Sequence, residues 1–411
     1  MADTCDGSFP RSARLMGSSL RSDAERPPRT ARERIPHTSA GSEYSFRMTQ
    51  AQATARELLP RVLELGIESG TFSAVSLLIA LDGEIVDEQT LGVTRRWDAP
   101  GVEAREPGSA VDANTRFDLA SLTKLVTAAT VLSLLDEHGL GVSLRVGELL
   151  PEFADAPLSD LTLADLLTHT AGFPAEWFGR EPDEGAARFR AGARPTDPRG
   201  VLHRYSCVGY IWAGLAAEAL GGASLDALAH RHVLDPLGMT ETGYRPGAEL
   251  LPAIAATEYQ STPPRGLVHG VVHDETSWAL GGAVGNAGLF GTARDQLRLT
   301  EALRLPPGES ALPSSVVRAM TCVHDASAPQ AENFRQAIGS RIDDAWTERW
   351  RWANGVVGHT GFTGTAVATE PLGRRSLVFL TNRVHPDRAT EGIADIRRAV
   401  AGAAAEYGTA G

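Results

Sequence analysis

The chain has 411 residues, 42% of them hydrophobic and 22% charged, with a formal net charge of −12 at pH 7. That is the make-up of a soluble globular protein with room for one large domain or two ordinary ones. The acidic balance argues against a nucleic-acid partner, and no run of 18 apolar residues marks a membrane span.

Residues 1–47 are rich in Ser, Arg and Pro and carry no apolar periodicity. They lack the apolar stretch of a secretory signal, so they read as a disordered leader, with Met48 an alternative start. Cys5, Cys207 and Cys322 are odd in number and widely spaced. They offer no disulfide or zinc framework, fit a reducing compartment and point to a cytoplasmic protein.

Ala51–Ser69 reads as an amphipathic helix closed by Gly70. Two strand patterns, Ser73–Ala80 and Glu84–Thr90, flank Asp82-Gly83, a hairpin turn signal. Arg95–Thr115 is loop-like. Leu119–Glu137 is helical by its apolar spacing and ends at His138-Gly139. Short helices are expected at Thr162–Thr168 and Tyr210–Leu220, with a long loop or lid over residues 174–200. Gly281–Thr292 is Gly-rich and apolar. Strand patterns return at Gly355–Thr360, Gly364–Thr369 and Arg375–Thr381, and Arg388–Glu406 is a closing helix. Strands at both ends with helices between predict one sheet built from both ends of a single domain, residues 48–411. The sheet region is 48–115 plus 280–411, and the helical region is 116–279.

Among 39 Lys and Arg residues only one is lysine, Lys124. A guanidinium keeps its proton near neutrality, whereas a buried ammonium can release one. Lys124 lies three residues after Ser121, so a helix places both on one face. A serine hydroxyl becomes a nucleophile when a base takes its proton, and a lysine drawn toward neutrality can be that base. The bland alternative is a capping serine followed by a solvated lysine, but a first-turn cation opposes the helix dipole.

Further segments join this pair. Tyr205-Ser206-Cys207 precedes a helix, and His359-Thr360-Gly361 lies on a strand. Leu166–Gly172 reads LLTHTAG, Val272–Glu275 reads VHDE, Gly285–Phe290 reads GNAGLF, and His359–Thr365 reads HTGFTGT. In this order the segments resemble the class C β-lactamase-like branch of the serine β-lactamase and penicillin-binding protein family, from about Phe72 to about Glu406. The resemblance implies an α/β sandwich: a central antiparallel sheet flanked by helices, plus a mostly helical subdomain, with the site in the cleft between them.

The resemblance also implies roles. Ser121 is the acylated nucleophile, Lys124 the base or its partner, and Tyr205 the proton carrier to the leaving group. His359, Thr360 and Gly361 form one wall, and the N–H groups of Ser121 and Phe362 form the oxyanion hole. Cys207 stands where relatives have the Asn of Tyr-x-Asn. A thiol hydrogen-bonds weakly, which weakens the case for amide recognition. His359 replaces a lysine and lowers the fixed positive charge of the wall. Cys207, Trp177, Phe178, Trp278 and Asn286 are possible pocket residues, although the aromatics can equally be core.

The other histidines have blander readings. His169 is expected to bond backbone at a helix-to-loop junction. His269 and His273 are four apart on poor helix sequence, which makes a metal pair improbable. The Gly281–Gly291 run lacks a nucleotide-binding context.

The expected activity is two-step acyl transfer without cofactor or metal. A small-molecule acyl donor loads Ser121, and water or an amine or alcohol acceptor unloads it. An esterase or biosynthetic transacylase is expected first. An amidase or peptidase acting on D-amino-acid or muropeptide substrates comes next, and then a β-lactamase. An inactive member serving as a binding module is the alternative of another class.

Overall fold

The Asp82-Gly83 turn builds the first hairpin because both residues sit at positive φ, 52° and 87°, as a two-residue turn matched to strand twist requires. The strands it joins are Ala74–Leu81 and Glu84–Gly92. The first is buried along almost its whole length, while the second alternates between exposed and half-buried positions. That difference places the first inside a sheet and the second at its edge. The computed structural model describes residues 54–177, 185–325 and 327–408. The expected leader, the first three residues of the Ala51–Ser69 pattern and Phe178 lie outside them.

The main sheet has seven strands. Their spatial order is Arg335–Gln336, Arg341–Ile342, Val357–Thr360, Ala366–Thr369, Arg375–Thr381, Ala74–Leu81 and Glu84–Gly92. Every neighbouring pair is antiparallel. The sheet thus joins the early hairpin to the late strands through Val75 opposite Thr381.

Helices Ala55–Glu68 and Ile393–Glu406 cover one face, packing Leu59, Leu63 and Val400 against Val75, Leu77, Ile79 and Phe379. The other face meets a larger core around helix Thr123–Glu137, whose residues are buried from Thr123 to Leu135. A helix buried all round is a central element, not a surface one.

Several elements differ in extent from their sequence pattern, each for a local reason. The helix expected at Tyr210–Leu220 begins at Cys207, because Ser206 Oγ accepts the Gly209 N–H at 3.1 Å and caps it. The closing helix begins at Ile393 instead of Arg388, after Gly392 at φ 97°. A short helix, Gly185–Gly192, lies within the expected lid. The Arg335–Gln336 edge strand and its neighbour Arg341–Ile342 are two residues each, too short to show a period.

Candidate active site

Ser121 sits in a turn of 3-10 helix, Ala120–Leu122, that runs directly into helix Thr123–Glu137. Ala120 has φ 46°, a strained value for a residue with a side chain. Neighbouring groups hold it there. Asp118 is buried and accepts the N–H of Ala120 at 2.8 Å and that of His273 at 2.7 Å. The wall strand is tied to the same turn, since the hydroxyls of Thr363 and Thr365 donate to the carbonyls of Asp118 and Leu119 at 2.7 and 3.1 Å. Gly361 makes that approach possible: a Cβ there would lie 2.1 Å from Thr365 Oγ1 and 2.8 Å from the Leu119 carbonyl.

Lys124 is fully buried. Its Nζ donates to Ser121 Oγ at 3.0 Å, to the Asn286 carbonyl at 3.0 Å and to Cys207 Sγ at 3.5 Å. It also lies 5.0 Å from the centre of the Tyr205 ring. All three ammonium protons are therefore directed. Burial pulls this lysine down, but its electrostatic interactions with Cys207, Tyr205 and Asp274 outweigh it. Lys124 stands above its ordinary value as a result. Burial alone, as read from the sequence, predicts the opposite direction; the neighbours that reverse it come from distant segments. Burial also pushes the Cys207 thiol up.

Tyr205 packs against His169, with ring centres 4.6 Å apart, and His359, with ring centres 6.1 Å apart. His169 Nδ1 accepts the Ser206 N–H at 3.1 Å, which fixes the start of the helix that follows Tyr205. His359 Nδ1 donates to the Thr360 carbonyl at 2.8 Å. Burial, with Arg341 and Lys124 nearby, holds His359 well below the usual histidine value, so it is neutral at pH 7. A fixed cation nonetheless stands at this wall. Arg341 donates to Thr360 Oγ1 at 3.2 Å and lies 5.2 Å from the Tyr205 ring centre.

A cavity opens over Ser121, lined also by Tyr205, Cys207, Trp177, Asn286 and Phe362. Glu176, Asp274, Glu275 and Arg388 complete its rim. Asn286 is buried, and its side chain is held by Ser277 Oγ at 3.0 Å and Asp274 at 3.3 Å. The Phe362 ring stacks on His273, with centres 5.6 Å apart. His273 in turn reaches Glu258 at 2.8 Å, and Arg388 binds the same carboxylate. These bonds hold Glu258 at about 2 although burial opposes ionisation. His269 is engaged elsewhere, donating to the Ile254 carbonyl at 2.8 Å. Trp278 stands apart from the cavity; its ring lies under Arg265 at 4.6 Å.

Sequence reading missed Asp118, Arg341 and Arg388. Asp118 was within reach of local reasoning, as a carboxylate three residues before the serine. The arginines carried no local signal, because a two-residue strand and a loop before the last helix deliver them.

The buried histidines yield a pH prediction. His169 and His359 lie well below 6.5, and His385 is lowered to about 4, all chiefly by burial. Below pH 6.5 the unfolded chain takes up protons that the folded chain refuses, so stability falls as pH drops. Each histidine contributes up to ~1.4 kcal/mol per pH unit in that window. Urea unfolding at pH 7.5, 6 and 5 is expected to show a falling midpoint; a flat profile would contradict buried neutral imidazoles.

Comparison with known proteins agrees with this architecture. The Beta-lactamase family model matches residues 59–401. An N-acetylmuramyl-L-alanine amidase of Bacillus subtilis (strain 168) is 27% identical over 372 residues, 82% of this chain and 83% of the relative. Among solved structures, EstCE1, described as a hydrolase with promiscuous acyltransferase activity, aligns with a TM-score of 0.65 at 21% identity. It covers 85% of this chain and 98% of that one. A penicillin-binding protein homolog from Caulobacter crescentus aligns at 0.64 and 18% identity, covering 86% and 98%. The Ser121 cavity thus sits in a fold shared with these structures, and the chain belongs to the beta-lactamase family of serine hydrolases.

Proposed function

We propose that the protein is a serine acyl-transfer enzyme acting on an ester of a small molecule, as an esterase or a biosynthetic transacylase. The observation that carries this reading is the 3.0 Å contact between Ser121 Oγ and Lys124 Nζ beneath an open cavity. Ser121 Oγ bonds to the carbonyl carbon, the bond from that carbon to the alcohol oxygen breaks, and the serine proton leaves with the alcohol. Water or an acceptor then repeats the exchange in reverse and frees Ser121.

The proton passes through Lys124 and Tyr205 together. Ammonium beside phenolate and amine beside phenol hold the same number of protons, so the pair, not either residue alone, is the acceptor. The N–H groups of Ser121 and Phe362 receive the tetrahedral oxyanion, and the turn that carries Phe362 is tied to the serine's own turn.

Cys207 favours esters over amides. An amide nitrogen must be protonated as it leaves and profits from a strong neighbouring donor or acceptor; a thiol supplies neither well. The second reading is an amidase or peptidase on muropeptide-like substrates. The printed name of the B. subtilis relative favours it.

Mass spectrometry after incubation with a fluorophosphonate is expected to show one adduct, on Ser121, that is lost in Ser121→Ala. An activated ester incubated with and without an amine or alcohol separates transfer from hydrolysis. No adduct from any acylating probe would defeat the enzymatic reading and favour a binding module.

A further inference from the structure

A second cavity of about 280 Å³ lies beside the one over Ser121, which measures about 150 Å³. Its walls continue those of the first. Along helix Cys207–Gly221, Cys207 and Ile211 face the serine cavity, while Ile211, Gly214 and Leu215 face the second. Along the loop after helix Glu275–Ala279, Asn286 and Ala287 line the first, and Ala283, Val284 and Gly285 the second. The third wall passes through an aromatic contact: the ring centres of Trp177, in the first, and Phe189, in the second, are 5.5 Å apart.

The second cavity is apolar where it adjoins the first. Two charged residues face it, and both are engaged. Arg190 donates to Glu152 at 2.6 Å, and Glu218 accepts the Leu225 N–H at 2.9 Å. Glycine lets the helix and the loop approach closely between these walls, since a Cβ on Gly214 would lie 3.1 Å from both Gly285 N and Leu225 Cδ2. Such a concave apolar slot takes an uncharged hydrocarbon group.

We infer that the cavity lined by Ile211, Leu215, Val284 and Phe189 holds the aliphatic chain of the acyl group that Ser121 receives, so that the preferred donors are medium-chain acyl esters. This rests on the esterase reading. The acyl side is assigned because the chain that stays on the enzyme through both steps gains from an apolar wall, whereas the alcohol must leave after the first. Binding energy remote from the carbonyl then helps to hold the reacting carbon in place.

The test is kcat/KM for p-nitrophenyl acetate, butanoate, hexanoate and octanoate, alongside a series of alkyl acetates in which only the alcohol lengthens. Each methylene moved from water into the slot is expected to raise kcat/KM by up to about fourfold. A hexanoate-to-acetate ratio of at least tenfold is therefore expected. Leu215→Trp fills the slot and should bring that ratio toward one, with circular dichroism confirming a folded protein. Ala283→Leu is a second, smaller filling should the tryptophan prevent folding.

A ratio at or below one, an unchanged ratio in a folded filling variant, or a rise confined to the alkyl acetates overturns the inference. Acetate turnover through Ser121 without chain-length dependence defeats the acyl slot alone. Turnover of no ester, with no adduct on Ser121, defeats the slot and the esterase reading together.

Discussion

Lys124→Arg is expected to slow acylation of Ser121 by roughly 10²- to 10⁴-fold, the range that a positioned proton-transfer group contributes. Positive charge is retained, but a guanidinium does not release its proton in a protein. The fork is also the wrong shape. Lys124 Nζ meets three acceptors from three segments, Ser121, Cys207 and Asn286, which a tetrahedral ammonium can satisfy together and a planar group cannot. The site is fully buried, so the larger side chain adds an overpacking cost of about 1–3 kcal/mol. Lys124→Met separates the two effects, because it keeps the length of the side chain and removes both proton and charge. Both variants should remain folded by circular dichroism and lose the burst of product that reports acyl-enzyme formation. Near-normal turnover in folded Lys124→Arg would remove the lysine from the proton path.

The placement of residues linked by short spacing was legible in the sequence. Ser121 and Lys124 are one helical turn apart, Tyr205 and Cys207 open one helix, and His359 to Phe362 follow one strand. Local geometry fixes each group internally, so residue spacing sufficed. What spacing could not supply was the assembly between groups. Arg341 reaches Thr360 only because its two-residue strand pairs with Val357–Thr360, placing Arg341 opposite Gly358. The loss of a cation at position 359 was visible; the guanidinium beside it was not, because sheet register created the contact. Trp177 and Trp278 show the same limit. Both are aromatic residues near expected loops, yet only Trp177 faces the cavity, while Trp278 turns to Arg265. Which way an aromatic residue faces in a loop, as at Trp177, or on a one-turn helix, as at Trp278, depends on contacts from elsewhere. The helix Thr123–Glu137 was legible as a helix from its apolar positions, but its burial on all sides depends on helices Cys207–Gly221 and Ser314–Thr321 packing around it.

Asp118→Ala should destabilise the fold by about 2–6 kcal/mol and cost roughly 10²-fold in kcat. The carboxylate satisfies two buried backbone donors, Ala120 N–H and His273 N–H, and alanine leaves both without an acceptor. Each orphaned buried N–H costs about 1–3 kcal/mol. The catalytic effect follows from where those donors lie. Ala120 is held at φ 46° immediately before Ser121, and relaxing that residue turns the serine hydroxyl away from Lys124. The His273 loop would loosen as well, and with it the surface on which Phe362 stacks. On the proposed mechanism Asp118 is a positioning residue: it ties the turn of Ser121 to the loop of His273 without touching the reacting atoms. A purely structural role predicts a lower unfolding midpoint and, in the folded fraction, unchanged kcat. A positioning role predicts that kcat falls in protein still folded at the assay temperature, while KM changes little. Asp118→Asn retains one carbonyl acceptor and should fall between the alanine variant and the native protein on both measures. If kcat per folded molecule is unchanged in Asp118→Ala, the strained turn at Ala120 does not depend on this carboxylate and must be held by the Thr363 and Thr365 contacts alone.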